Sequence, residues 1–155
     1  MTGARPAPDL AGVLDWMRRD GRRYTRMRDF GDALCDRVVA AGIPIARAFF
    51  AVATLHPQIA GTAYIWRRDS GTARESATRE DMQRPDFRGS PLARVTGSRQ
   101  ILRRRLADPA DRREFPVFER LHMEGITDYV AVPVTFSDDT CHPLSLSTDH
   151  PEGFR

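Results

Sequence analysis

Histidine and cysteine side chains are the first candidates for chemistry in this chain, because these residue types bind zinc. The candidates are His56, His122, Cys141, His142 and His150. Zinc sites usually draw such ligands from closely spaced pairs, and the chain contains no C-x-x-C or H-x-x-x-H pair. Adjacent side chains of a strand point to opposite faces, which separates Cys141 from His142. The sequence therefore predicts no metal site and no cofactor.

A second possible chemistry is acyl transfer by a serine, a histidine and an aspartate. Ser145, His122 and Asp128 supply the three residue types, but no nucleophile-elbow pattern surrounds Ser145. The chain also contains no lysine, which excludes the phosphate-binding loop G-x-x-x-x-G-K-[ST]. We expect Ser145 to be an ordinary strand serine and the chain alone to have no catalytic residue.

The basic residues raise the question of nucleic-acid binding. All 24 are arginine, and 21 acidic residues reduce the net charge to +3. The densest run, "RQILRRRL", predicts a strand with Arg103 and Arg105 on one face and Leu102, Arg104 and Leu106 on the other. It lacks the interleaved aromatic residues on which single-stranded nucleic acids stack. We expect a solvated face partnered by nearby carboxylates, and nucleic-acid binding is a distant alternative.

Composition indicates a soluble globular protein, since 41% of the 155 residues are hydrophobic and 29% are charged. No apolar run approaches the roughly 20 residues that span a bilayer, and the N-terminus lacks the apolar segment of a signal peptide. The sequence predicts a cytoplasmic protein without a membrane partner. Its two cysteines, Cys35 and Cys141, are then expected to be thiols.

The first half of the chain predicts two helices followed by two strands. Leu10, Val13, Leu14 and Met17 have helical spacing, which predicts an amphipathic helix over residues 9 to 20. The same pattern over residues 30 to 41 predicts a second helix that ends before a glycine and a proline. The segments "RAFFAVATL" and "GTAYIWRR" are typical of strands, and the short "HPQIAG" between them favours an antiparallel pair.

The second half predicts a mixed arrangement. The polar segment "DSGTARESATREDMQRPDFRGS" indicates the end of a strand and then a mobile loop. Ser90 and Pro91 are typical of a helix start, "RQILRRRL" of a strand, "EFPVFERLHMEG" of a helix, and residues 129 to 147 of a hairpin. This order predicts an α+β domain with one antiparallel sheet of about five or six strands covered by helices. Residues 1 to 155 are expected to form one domain, with residues 1 to 8 disordered.

Five ordered segments carry a resemblance to a known family: "TLHPQIAGTAYIWRR", "GSPLARV", "LRRRL", "FPVFERLHMEGITDYVAVPVTFSD" and "LSLSTDHPEGF". Together they resemble the GAF-like N-terminal sensory region that precedes the catalytic domain of bacterial class III adenylate cyclases. The resemblance runs from roughly Leu10 to Phe154. It implies a GAF-type fold and a regulatory role in cyclic AMP signalling, with no enzyme activity in this chain itself.

The sequence departs from that family at two places. The hairpin turn "SDDTCHP" lacks the glycine that the family usually has there. Members also continue after "GF" into a helix and a cyclase domain, whereas this chain stops at Arg155. We expect either a piece of a longer protein or a short paralogue, so that the cyclase partner would act in cis or in trans.

Two functions follow from the resemblance. The first is a sensor with a pocket near residues 87 to 125, in which Trp66 and Tyr129 form apolar walls while Arg105 and His122 orient the ligand. An arginine there would select an anionic small molecule. The second is a dimerisation and relay module without a ligand. Apolar residues of the first helix predict a homodimer: Leu10, Val13, Leu14, Trp16 and Met17.

Overall fold

The structure, a computed structural model, describes residues 8 to 53 and 59 to 154. The described helices are α1 (Leu10–Arg19), α2 (Met27–Ala40), α3 (Pro85–Arg88), α4 (Pro91–Ser98), α5 (Pro109–Arg112) and α6 (Pro116–Met123). The strands are β1 (Arg47–Ala53), β2 (Ile59–Arg67), β3 (Gly71–Thr78), β4 (Leu102–Arg105), β5 (Asp128–Thr135) and β6 (Cys141–Thr148). The expectation of disorder concerns residues that, apart from Pro8, lie outside the described ranges.

All six strands form one sheet in the order β3-β2-β1-β6-β5-β4, and every neighbouring pair is antiparallel. The prediction of an α+β domain with five or six antiparallel strands is therefore confirmed. One element was predicted wrongly, because β3 is a full strand of eight residues where a strand end and a loop were expected. As an edge strand it is mostly exposed, so its polar side chains show no apolar alternation.

Local capping explains where two of the helices begin. The Asp9 carboxylate accepts a hydrogen bond from the backbone N–H of Gly12 at 3.0 Å, at the start of α1. The Ser90 hydroxyl accepts one from the N–H of Ala93 at 3.1 Å, and Pro91 occupies the first position of α4. Both contacts satisfy backbone donors that the helix itself leaves unpaired. The predicted helix start at Ser90 is confirmed.

Paired residues on neighbouring strands point to the same side of the sheet. The strand pairing therefore assigns each row of residues to one of the two faces. One row across the sheet contains Trp66, Ala48, Leu146, Val130 and Arg103, and we name this side the α2 face. The next row contains Arg67, Arg47, Ser147, Tyr129 and Arg104, and we name this side the α6 face.

A different apolar core covers each face. On the α2 face, Cys35 of α2 packs with Ile45, Ala48 and Trp66. Burial, and then the neighbouring carboxylates of α2, raise the pKa of the Cys35 thiol to about 12, so this thiol stays protonated. On the α6 face, the core contains residues of α4, α6 and β5: Val95, Leu102, Leu106, Phe115, Phe118, Leu121, Ile126, Tyr129 and Ala131.

The arginine run on β4 makes the contacts expected of it. Arg103 donates to Asp128 at 2.7 Å on the α2 face, and Arg104 pairs with Glu114 on the other face. The Arg104 guanidinium, hydrogen-bonded to Glu114, holds the pKa of that carboxyl below its usual range. Both the alternation of this strand and its carboxylate partners are therefore confirmed, and these arginines are already paired within the protein.

A buried carboxylate holds the C-terminal segment against the sheet. Asp128 is fully buried and accepts hydrogen bonds from Arg103 and, at 3.0 Å, from the backbone N–H of Phe154. Arg105 donates to the carbonyl oxygen of Glu152. The Phe154 side chain packs against the core of the α2 face. We name Asp128, Arg103 and Arg105, together with the segment 152 to 154 that they hold, the C-terminal clamp.

Candidate anion-binding site

The four residues predicted to line one pocket do not come together. Trp66 is buried on the α2 face, and Arg105 lies on the same face in the C-terminal clamp. Tyr129 is buried on the α6 face, where the centre of its ring lies 4.9 Å from the centre of the Phe118 ring. His122 is half-buried on α6. The sheet separates Trp66 and Arg105 from Tyr129, so a single pocket with both aromatic walls is excluded, while ligand binding at the individual residues stays a prediction.

The other candidate chemistries find no assembled site. Ser145 pairs with Phe49 and Ala131 on the α6 face, whereas Asp128 points to the α2 face, so the two cannot belong to one triad. Within residues 8 to 53 and 59 to 154, no group of three or more histidine, cysteine, aspartate or glutamate side chains is placed to hold a metal ion. His56 lies outside the described residues.

The described residues, 8 to 53 and 59 to 154, contain no helix with the length and hydrophobicity needed to cross a bilayer.

The α6 face carries an arginine that the sequence did not single out. Arg47 opens β1 and is paired with Arg67 on one side and Ser147 on the other. Ser147 in turn is paired with Tyr129, so the four side chains form one row across four strands. The row places two guanidinium groups beside two hydroxyl groups on a largely covered face. Such a combination is the donor set that proteins use for oxyanions.

Arg47 lacks the partners that a buried charge needs. It makes no ion pair with any described residue, and its Nε is buried without a hydrogen-bond acceptor. Burial lowers the pKa of Arg47, and the neighbouring Arg67 lowers it further, whereas Tyr129 and Glu124 oppose this shift. A buried guanidinium nitrogen without an acceptor is costly, which makes the half-buried Arg47 a candidate for binding an external anion.

Two buried serines add unsatisfied donors to the same face. The hydroxyl oxygens of Ser145 and Ser147 are buried and make no hydrogen bond of ordinary geometry. Ser145 nevertheless lies close enough to Tyr129 to lower the pKa of the phenol, while burial, the larger effect, raises it. Buried hydroxyl groups are normally paired with protein, water or ligand. Ser147 lies beside Arg47, and Ser145 lies two residues further along β6 on the same face, so these hydroxyl groups extend the candidate site toward the middle of the sheet.

A cleft of about 460 Å³ gives solvent access to Arg47. Its lining comes from the start of β1, the end of β2 and the segment that follows α6: Ala46, Arg47, Arg67, Arg68, Asp69, Glu124, Ile126 and Asp149. Arg68 and Asp149 form an ion pair across one side of it. The volume lies within the range of small-molecule sites, near its lower end. The cleft therefore fits a small polar ligand.

A second cleft of about 380 Å³ lies between α1 and α2 and is lined by Trp16, Asp20, Arg23, Tyr24 and Arg37. The guanidinium carbon of Arg37 lies 4.1 Å from the centre of the Trp16 ring. Arg23 and Asp20 are paired at 3.0 Å. Since the charged groups of this cleft already have partners within it, the cleft is a weaker candidate for a ligand site than the one at Arg47.

Comparison with known proteins identifies similar shapes but no family. No protein-family model matches the chain, and no curated protein sequence matches it. One similar structure is the GAF domain of a two-component sensor histidine kinase from Bacillus halodurans, with a TM-score of 0.46 and 14% identity, over 93% of this chain and 79% of that one. Another is the NreA protein of Staphylococcus aureus mutated in its nitrate-binding site, with a TM-score of 0.46 and 15% identity, over 90% and 92% of the two chains.

A hypothetical protein from S. aureus is similar at a TM-score of 0.47 and 13% identity, over 83% of this chain and 97% of that one. A GAF domain is thus among the similar structures, and GAF is the fold that the sequence motifs resemble. With TM-scores below 0.5, these likenesses carry no argument about function. The α+β architecture rests on the sheet and helices of the chain itself.

Sequence reasoning missed Arg47 because nothing in the local pattern distinguishes it. It is one of 24 arginines, and it stands at the start of the apolar strand "RAFFAVA". The available signal was a lone charge beside an otherwise apolar strand, which predicts either a solvated strand end or a buried functional group. Only the pairing of β1 with β6 decides between these, since it places Ser147 next to Arg47.

Proposed function

We propose that this chain is a sensory domain that binds a small anion at Arg47. The observation that supports the proposal most directly is the buried Nε of Arg47, which has no acceptor among the described residues. A planar guanidinium makes paired, charge-assisted hydrogen bonds with carboxylates and similar oxyanions. The nearby Arg67 and the hydroxyl groups of Ser147 and Tyr129 supply further donors.

Placement on the sheet supports a regulatory role for such binding. Tyr129 points to the same face of the sheet as Arg47, and the preceding residue Asp128 holds the C-terminal clamp on the opposite face. On β6, Ser147 likewise points to the face of Arg47, and the next residue, Thr148, lies beside Asp128 on the opposite face. An anion that shifts β5 or β6 would act directly on the segment 152 to 154 that the clamp holds. This is the physical basis of the proposed relay to a catalytic domain.

The binding test measures thermal stability and heat of binding with acetate, propionate, nitrate and phosphate. A ligand at 100 times its dissociation constant should stabilise the native state by about 2.7 kcal/mol. We expect this stabilisation in the wild-type protein and its loss in Arg47→Gln. Arg74→Gln is the matched control, because Arg74 is exposed on β3, points to the α2 face and makes no ion pair with a described residue.

The proposal would be refuted if none of the four anions stabilised the wild-type protein or gave a heat of binding with it. An equal stabilisation of the wild-type protein and Arg47→Gln would also refute it, since binding would then occur elsewhere. A loss that is as large in Arg74→Gln would show that the effect follows net charge and does not come from the site.

We also propose that the output of this sensor is a class III adenylate cyclase domain, in cis or in trans. The ordered motifs that resemble the cyclase-associated sensory region support this assignment. We expect the isolated chain to make no cyclic AMP from ATP with magnesium or manganese, and the anion to change the activity of a cyclase domain encoded in the same or an adjacent reading frame. A genomic context without any cyclase domain would contradict this proposal and leave anion binding untouched.

A further inference from the structure

The cleft at Arg47 contains free charges of both signs. Arg47 and Arg67 form its basic side, and neither makes an ion pair with a described residue. Asp69 and Glu124 belong to the same lining, and neither has a cationic partner within residues 8 to 53 and 59 to 154. Arg68 and Asp149, in contrast, do pair with each other. Charges of both signs thus lack an ion-pair partner among the described residues of one small cleft.

The separation of these charges is a property of the fold. Arg47 and Arg67 are neighbours on the sheet, whereas Glu124 caps the C-terminus of α6 and Asp69 lies in the turn after β2. Glu124 is close enough to oppose the lowered pKa of Arg47, yet it does not reach ion-pair distance. The space between them belongs to the cleft of about 460 Å³. A ligand in that space would contact both signs of charge.

These groups favour one class of anion over others. A dianion such as phosphate would be attracted by the arginines but repelled by the two carboxylates on the rim. An ammonium group on the ligand would turn that repulsion into attraction. We propose that the ligand is a small zwitterion, whose carboxylate binds Arg47 and whose ammonium group binds Glu124. This inference rests on the proposed anion site and specifies the class of molecule that the site accepts.

The two ends of the zwitterion should contribute unequally. Arg47 is largely buried, and its carboxylate contact would be shielded from water, whereas Glu124 and Asp69 are exposed. An exposed ion pair adds little binding free energy, so we expect the ammonium contact to raise the affinity by at most about 5-fold. The carboxylate contact should therefore decide whether a molecule binds, and the ammonium contact should decide which carboxylate binds best.

The experiment compares four probes at pH 7 by calorimetry: alanine, β-alanine, propionate and ethylamine. Propionate lacks the ammonium group and ethylamine lacks the carboxylate, while β-alanine lengthens the spacing by one carbon. We expect alanine or β-alanine to bind about 5-fold more tightly than propionate, and ethylamine not to bind. In Glu124→Gln the two amino acids should fall to the affinity of propionate, whose own binding should not weaken.

The control variant is Glu80→Gln, because Glu80 follows the far end of β3 and is exposed. It should retain the full preference for the zwitterion. Equal affinity of propionate and both amino acids in the wild-type protein would overturn this inference and leave the anion site standing. A preference that survives in Glu124→Gln would overturn the role of Glu124. If none of these probes and none of the simple anions binds, both proposals fail together.

Discussion

At the scale of single residues, Gly153 has the tightest surroundings of the glycines that the structure describes. Its φ of +72° lies in the left-handed region, which side chains other than glycine rarely adopt. A Cβ atom there would overlap with the guanidinium of Arg105 and the carboxylate of Asp128. Both groups belong to the C-terminal clamp, and Asp128 is fully buried. The clamp can therefore close only over a glycine.

We predict that Gly153→Ala destabilises the protein by about 1–3 kcal/mol, because it combines an unfavourable backbone angle with displacement of the Arg105 guanidinium and the buried Asp128 carboxylate. The free energy of unfolding in urea measures the effect. Gly97→Ala is the control, since Gly97 lies inside α4 with open space around it, and it should stabilise by about 0.5–1 kcal/mol. Unchanged stability of Gly153→Ala would show that the clamp does not contribute to folding.

At the scale of elements, helix α1 has an apolar stripe that the described residues leave partly exposed. Val13 and Trp16 point into the protein, whereas Leu10, Leu14 and Met17 are 48%, 51% and 37% exposed. These three residues follow each other at helical spacing, so they lie on one side of the helix. Contiguous exposed apolar surface of this kind marks an interaction site more often than an accident. We propose that a second copy of the chain covers it.

The two-fold dimer that we propose would pair α1 with α1 of the partner subunit in an antiparallel manner. Leu14→Asp should convert the dimer to a monomer, because it places a charge in the centre of the stripe. Sedimentation at high micromolar concentration measures the change. Ile101→Asp is the control, since Ile101 is 69% exposed outside the stripe and should leave the dimer intact. A wild-type monomer at that concentration would contradict the proposal.

At the scale of the whole molecule, the sheet acts as a partition between two cores. Trp66 and Tyr129 are both buried aromatic residues, but they lie on opposite sides of this partition. Each strand pattern indicates which side chains share a face within that strand. It does not indicate which faces of different strands coincide. The predicted pocket combined residues from both faces for this reason.

Local elements were predicted more successfully than their arrangement. The helices α1, α2, α4 and α6 and five of the six strands follow from apolar spacing and capping residues, which act over a few neighbouring positions. The strand β3 escaped detection because an exposed edge strand needs no apolar alternation. The four-residue helices α3 and α5 were not predicted either, since they are too short for a periodic pattern.

The α+β class, the antiparallel hairpins and the alternation of Arg103, Arg104 and Arg105 could be predicted from the residues alone, because periodicity and turn residues are local properties. The tertiary structure alone decided the candidate site. Strand β1 pairs with β6 from the other end of the chain, and this pairing brings Arg47 beside Ser147 and, one strand further, Tyr129. Contacts between distant segments depend on how the whole core packs, so no local pattern encodes that the Nε of Arg47 lies buried without a hydrogen-bond partner, beside a cleft that acidic side chains also line.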